Sequence, residues 1–318
     1  MSIAPYIKEI GRGGEGARSL TREQAADLME QVLDGRVTDL EVGAFCLAMR
    51  MKGETADELL GFLQAAQARC MQLPTTRPVV LLPSYNGARR LPNLTALLAM
   101  RLAQEGVAVL VHGPMRDPNR VTTADIFRDL GLPLAQCAAA VEAAWSRREP
   151  VLVPIDALCA PLSRLLEVRR VVGLRNSGHT IAKMLNPCRD ARVLRVINHT
   201  HPEFGELMTA CAAAGAADVM LLRGTEGEPV ADPRRAPRMS VWIEGIARPE
   251  LSSPAQEGVL SALPLLPRTC DAATTALYIQ AVMSGEKPAP APLELQVRLL
   301  LNAVAALEGA AGLVGMTA

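Results

Sequence analysis

Aromatic residues are scarce in this chain of 318 residues, at 3% of the composition. That scarcity excludes a base-stacking platform of the single-strand-binding kind. Cysteines number seven, an odd count, and none forms a Cys-x-x-Cys pair. Neither a disulfide framework nor a zinc site is therefore indicated, and free thiols in a reducing compartment are the expectation. Net charge is lacking too: 33 basic residues balance 33 acidic ones. Whole-molecule electrostatics thus gives no reason to expect a polyanion partner, and a nucleic-acid case has to rest on where the charges sit. No run approaches the roughly 20 apolar residues of a spanning helix, and the N-terminus has no apolar stretch with a cleavage signal. The expectation is a cytoplasmic protein without a membrane partner.

What is present is ordinary globular material, 49% hydrophobic and 21% charged, in a length suited to two domains. Three capping boxes open the chain, Thr21 with Gln24, Thr38 with Glu41 and Thr55 with Glu58. Apolar stripes at helical spacing follow each, and Gly35 and Gly53 fall where helix ends belong. These features predict a helical domain over residues 1–73, ended by Pro74 and Pro78. Strands alternate with helices afterwards. Strands are expected at 79–82, 107–111, 151–155, 193–198, 217–222 and 239–243; helices are expected at 93–104, 123–130, 203–214, 272–284 and 293–307. Lys287–Pro292 reads as a stiff linker. The fold class is α/β: a small helical N-terminal domain, then a domain over 74–318 with a mainly parallel sheet flanked by helices. Ligands of such sheets bind beyond the carboxyl ends of the strands.

The segment Leu20–Leu63, with "LDGRVTDLEVGAFCLAMRMKGETADELLGF" inside it, is similar to the N-terminal domain of anthranilate phosphoribosyltransferase and its nucleoside-phosphorylase relatives. "ADIFRDLGL" (124–132), Val168–Pro187 and "LLLNAVAAL" (299–307) continue the likeness. The resemblance implies a cleft between the two domains, helices near 161–188 returning to the helical domain, and a homodimer formed through that domain.

It also allows a comparison by position. In the family a glycine-rich loop, G-T-G-G-D-G, cradles the pyrophosphate of phosphoribosyl pyrophosphate with backbone N–H groups. Here the matching segment is Pro83-Ser84-Tyr85-Asn86-Gly87-Ala88, followed by Arg89 and Arg90. Pro83 removes a donor and Tyr85 puts a ring in the ligand's path. Asn86-Gly87 reads either as a tight turn or as the remnant of an anion site. The family's N-x-S-T becomes Asn93-Leu94-Thr95-Ala96, where Asn93 also serves as a plain helix cap. K-H-G-N-R becomes Val111-His112-Gly113-Pro114-Met115-Arg116, which keeps His112 and Gly113 without the phosphate-binding lysine. His112 reads as structural or as catalytic. The two magnesium-binding acids of the family fall on Pro229 and Val230. Neither can ligate a metal, although Glu226, Glu228 and Asp232 lie near enough to compensate if the loop is shifted.

Between Arg164 and Arg195 stand eight basic residues against two acidic ones: Arg164, Arg169, Arg170, Arg175, Lys183, Arg189, Arg192 and Arg195, against Glu167 and Asp190. Arg234, Arg235 and Arg238 form a second cluster. Such runs are either solvated surface or a phosphate-binding groove. The sequence is similar to a subgroup of anthranilate phosphoribosyltransferase paralogues that lack the activity and bind DNA and RNA with little sequence preference, notably in "LRGTEGEPVA" and "NSGHTIAKMLNP". The expectation is nonspecific nucleic-acid binding in a basic interdomain groove, through phosphates, by a homodimer without cofactor. Arg89, Arg90, Arg169, Arg170, Arg175, His179, Lys183, Arg234 and Arg235 are the candidate contacts. Asn86, Gly87, Asn93, Thr95, His112 and Gly113 are remnants of the family site. The alternative is a phosphoribosyltransferase with an altered acceptor and a rebuilt Mg²⁺ site.

Overall fold

The structure, a computed structural model, describes residues 2–13, 16–258 and 263–314. The chain forms two compact units: residues 1–71 with 155–187, and residues 72–154 with 188–318.

The first unit is helical. Its three capping boxes all form, so Thr21, Thr38 and Thr55 open the helices Arg22–Leu33, Asp39–Lys52 and Ala56–Gln67. Each satisfies N–H groups that a helix start leaves unpaired. A further helix, Ala4–Ile10, adds to those expected; it has no side-chain cap and carries proline in its first turn. Phe45 and Phe62, both fully buried, meet edge to face at 5.7 Å in the core. Glu58 does more than cap its own helix. It pairs with Lys52 at 2.8 Å and accepts from the Leu20 N–H at 2.9 Å, wholly buried. Residues 155–187 add the helices Ile155–Leu158, Ala160–Glu167, Arg169–Val172 and Gly178–Ile181.

The second unit is built on seven strands: β1 (Val79–Pro83), β2 (Ala108–Gly113), β3 (Val151–Pro154), β4 (Val193–His199), β5 (Val219–Arg223), β6 (Met239–Ile243) and β7 (Ile246–Ala247). Their order is β3-β2-β1-β4-β5-β6-β7. The first five in that order run parallel, and β6 and β7 are antiparallel. Strands β1, β2 and β3 are buried throughout, which is why they read as unbroken apolar runs. The two-residue strand β7 is too short to leave a sequence pattern. Helices Thr95–Gln104, Thr123–Asp129, Pro202–Ala214, Ala272–Met283 and Ala291–Val314 accompany the sheet. Two corrections concern their starts. Asn93 is not the cap of its helix: it sits one residue earlier, and its Oδ1 accepts from the Thr95 N–H at 3.1 Å. The expected linker 287–292 is shorter, because Ala291 and Pro292 already belong to the last helix, where proline is tolerated in the first turn. No helix among the described residues is long and apolar enough to cross a membrane.

A candidate anion cradle filled from within

The loop after β1 and the loop after β5 are neighbours at the carboxyl edge of the sheet, and they meet in a buried hydrogen-bond network. Gly87 takes φ +70°, and Ala88 exchanges two backbone hydrogen bonds with Val121. The loop thereby aims a series of N–H groups at the β5 side. Two carboxylates receive them. Glu228 Oε1 accepts from the Asn86 N–H at 2.7 Å and from the Gly87 N–H at 2.6 Å. Its Oε2 accepts from the Ser84 hydroxyl and, at 3.5 Å, from Thr95 Oγ1. Glu226 accepts from the N–H groups of Arg89 at 2.7 Å, Arg90 at 2.7 Å and Leu91 at 3.0 Å. Five backbone amides and two hydroxyls thus surround two carboxylates of the same chain. Hydrogen bonds from N–H to a carboxylate are among the strong ones, and they stabilise the charge of Glu228 at 1% exposure.

The β5 loop is shaped to deliver them. Glu226 adopts φ +50°, ψ 20°, a left-handed conformation that a non-glycine residue holds only where its surroundings impose it. Gly227 follows at φ +87°, where a Cβ would stand 1.6 Å from Asn86 Nδ2. The same Nδ2 donates to the Glu226 carbonyl at 3.0 Å. Buried Gln296 fastens the far end, accepting from the Ala231 N–H at 2.8 Å and donating to the Pro229 carbonyl at 3.1 Å. Behind the carboxylates, Thr123 links Ser84 at 2.7 Å to Asn93 at 2.8 Å. The remnant positions Asn86, Gly87, Asn93 and Thr95 therefore do come together. Asn86, Gly87 and Thr95 bind the protein's own Glu228, and Asn93 braces Thr95 and Thr123 behind it.

Tyr85 and His112 lie beside this network, both buried. The Tyr85 hydroxyl and His112 Nδ1 are 2.8 Å apart, and the rings meet edge to face at 5.5 Å. The Tyr85 ring is therefore packed inside the unit. Burial pushes the His112 imidazole down to about 3, so it is neutral at physiological pH. The loop acids also fail to fit magnesium. Glu226 and Glu228 spend their oxygens on N–H and O–H donors, and Asp232 is held by the Arg234 fork at 3.0 and 2.7 Å. No group of three or more potential ligands stands together among the described residues.

The predicted basic run is divided. Arg164, Arg169, Arg170, Arg175 and Lys183 belong to the first unit, whereas Arg189, Arg192 and Arg195 belong to the second. Arg192 is already engaged, forking onto Asp218 at 3.0 and 3.1 Å and reaching Glu244 at 3.0 Å. In the first unit Arg175, Arg169 and Lys183 gather around His179. Burial first, and then these cations, hold its imidazole at about 3. His179, predicted as an anion contact, is buried and neutral and adds no charge to the cluster. The turn is fixed from below: Asn176 Nδ2 donates to the Leu165 carbonyl at 2.8 Å and Ser177 Oγ to Glu54 at 2.7 Å. Between the arginines, Val171 is 90% exposed and Leu174 is 43% exposed. In the second unit the side chains of Arg89, Arg90, Arg234 and Arg235 are all at the surface, with Arg235 donating to the carbonyls of Gln256 and Gly258.

Sequence reasoning placed the right loop but missed the role of Glu226 and Glu228. The available signal was Gly224-Thr225-Glu226-Gly227-Glu228, two acids spaced around a glycine at the end of a buried strand. Gln296 and Thr123 gave none, since each acts only through a partner remote in sequence.

The helical bundle domain of the glycosyl transferase family matches residues 4–70. An Escherichia coli (strain K12) protein, the uncharacterised YbiB, is 37% identical over 306 residues, spanning 95% of this chain and 94% of its own. The anthranilate phosphoribosyltransferase of Beijerinckia indica is 25% identical over 305 residues, 95% of this chain and 86% of that protein. Among solved structures, anthranilate phosphoribosyltransferase from Thermus thermophilus superposes with a TM-score of 0.69 at 19% identity, covering 96% and 89% of the two chains. The Saccharomyces cerevisiae enzyme in complex with PRPP and Mg gives 0.66 at 14% identity, covering 95% and 86%. Both share the fold of this chain.

Proposed function

We infer that this chain, which belongs to the anthranilate phosphoribosyltransferase-like glycosyl transferase family, binds nucleic acid without catalysing transfer, gripping DNA or RNA by its phosphates. The observation that carries the reading is the turn from Arg169 to Arg175. Arg169, Arg170 and Arg175, with Lys183 close by, surround solvent-facing Val171 and Leu174. Guanidinium groups suit phosphate, and aliphatic side chains between them suit the sugars and bases of an opened strand. Glu167 offsets part of this charge through its contact with Arg170 at 2.6 Å. Within the second unit, Arg89, Arg90, Arg234 and Arg235 are exposed guanidinium groups of the same chemistry.

The filled cradle speaks against the transferase alternative. A phosphoribosyl pyrophosphate molecule would have to displace two carboxylates from seven donors and then find a magnesium site elsewhere. Incubation with phosphoribosyl pyrophosphate, Mg²⁺ and aromatic amine or nucleobase acceptors is expected to release no pyrophosphate; release would revive the alternative. A homodimer through the helical unit fits the surface of helix Asp39–Lys52. Leu40, Leu47 and Met51 are 84, 48 and 80% exposed and fall on one helical face.

The direct test is charge reversal. Arg169→Glu with Arg170→Glu and Lys183→Glu should weaken binding of single- and double-stranded DNA at least tenfold in an electrophoretic shift assay, with an unchanged circular-dichroism spectrum. Undiminished binding by the folded variant would refute the assignment.

A further inference from the structure

The carboxyl edge of the sheet carries a second feature that the phosphate-gripping reading does not use. Register sets His199 of β4 beside Arg223 of β5. On the other side, Leu222 pairs with Met239, so the next step along the antiparallel ladder brings Arg223 opposite Arg238. An imidazole and two guanidinium groups thus stand together at the ends of β4 and β5 and at the residue before β6. Like charges set directly opposite on neighbouring strands destabilise a sheet. Neither arginine forms an ion pair among the described residues, and both are exposed. Asp232, which feels the charge of Arg223, is already gripped by the Arg234 fork. An anion between the two groups would be attracted by both.

Strand period carries the same face onward from Arg238 to Ser240 and then to Trp242. These side chains and the helix Pro202–Ala214 enclose a cleft of about 690 Å³, lined among others by His199, Glu206, Arg223, Arg238, Ser240 and Trp242. That volume lies within the usual range for small-molecule sites, about 300–1,000 Å³. Gly205 of the helix has a reason to be glycine, because a Cβ there would stand 3.1 Å from the His199 ring. The helix therefore lies close against the imidazole. In a chain with only two tryptophans, one half-exposed indole stands in the same cleft as two arginines that have no carboxylate partner among the described residues.

We propose that this cleft is a nucleotide site, with a phosphate held between Arg223 and Arg238 and a base stacked on Trp242. Arginine forks match phosphate oxygens, and an indole face accepts any base. Ser240 and Glu206 supply hydroxyl and carboxylate groups for a sugar or a base edge. The site is separate from the Arg169–Arg175 turn and stands or falls independently of it. Its nucleotide can be free in solution or one unit of a strand.

Tryptophan emission reads the site directly, because the other indole, Trp145, is buried and donates to the Val109 carbonyl at 3.0 Å. The full-length protein would be titrated with each of four nucleoside 5′-monophosphates and, separately, with an unlabelled single-stranded oligonucleotide. Saturable quenching is expected, absent in Trp242→Phe and weakened at least tenfold in Arg223→Ala with Arg238→Ala. The melting temperature of the double variant should be unchanged or higher, since the opposed charges are gone, so lost binding cannot be ascribed to unfolding. Quenching by monophosphates identifies a free nucleotide, and quenching by the oligonucleotide alone identifies a strand. Quenching by neither probe, or quenching that survives in the folded variants, overturns the proposal. Anisotropy of a labelled oligonucleotide, run in parallel, separates the two ideas. Strand binding without any response from Trp242 refutes the cleft and leaves the Arg169–Arg175 reading intact. A monophosphate response without strand binding does the reverse.

Discussion

Glu228 is a carboxylate at 1% exposure that gathers N–H and O–H donors of its own chain. Its removal would leave those donors buried and unpaired, which is where hydrogen-bond deletions become expensive. Glu228→Ala should therefore cost about 3 kcal/mol in urea unfolding, and Glu228→Gln, which keeps an acceptor of the same shape, about half as much. Equal stability of all three proteins would mean that the loop amides are hydrated rather than bound. His112 and His179 make a second prediction. Both are held at about 3 in the folded protein, against an ordinary value near 6.5. Above 6.5 they are neutral whether folded or not, and their neutral burial costs no extra stability. As pH falls from 6.5 towards 3 the unfolded chain takes up protons that the folded chain refuses, so stability is lost, by up to about 1.4 kcal/mol per pH unit for each histidine. The shift in urea midpoint between pH 6.5 and pH 5 should be large in the wild type and visibly smaller in His112→Gln and His179→Gln, each compared with itself. Midpoints that move equally in all three would contradict the neutral assignments.

At the scale of elements, helix Asp39–Lys52 buries Phe45, Cys46 and Met49 and leaves Leu40, Leu47 and Met51 outward. A dimer through that face predicts that Leu47→Glu with Met51→Glu converts a dimer to a monomer in sedimentation velocity, with little loss of helix. A wild type that already sediments as a monomer would remove the interface. The elements themselves were largely legible. Capping boxes at Thr21, Thr38 and Thr55 fix helix starts through local hydrogen bonds, and local chemistry is what a sequence displays. Strands β1 to β5 announced themselves as apolar runs because parallel strands are covered on both faces, and antiparallel β6 by side chains that alternate between buried and half-buried. Strand β7 and helix Ala4–Ile10 did not, the first being too short and the second having no side-chain cap. Half of the site was legible for the same reason. Loss of glycines and of the phosphate lysine could be seen position by position. The internal anion could not, because Glu228 meets Asn86 across 142 residues and only the fold makes them neighbours.

For the whole molecule, zero net charge hides a division of labour. Glu226 and Glu228 take up the amides of the loop after β1, while Arg89, Arg90, Arg170 and Arg175 stand at the surface. Phosphate contacts at that surface are proposed to bind nucleic acid. Each phosphate neutralised on a single strand releases counterions and contributes roughly −0.7 to the slope of log K against log salt. Arg169, Arg170, Arg175 and Lys183 together predict a slope of about −3 per protomer, falling to about −1 when Arg169, Arg170 and Lys183 are reversed to glutamate. Fluorescence anisotropy of a labelled single-stranded oligonucleotide over a series of salt concentrations measures this slope directly. Tight binding at low salt, steep weakening as salt rises and a flattened slope in the triple variant are expected. Absence of binding at low salt, or an affinity indifferent to salt, would contradict the proposal.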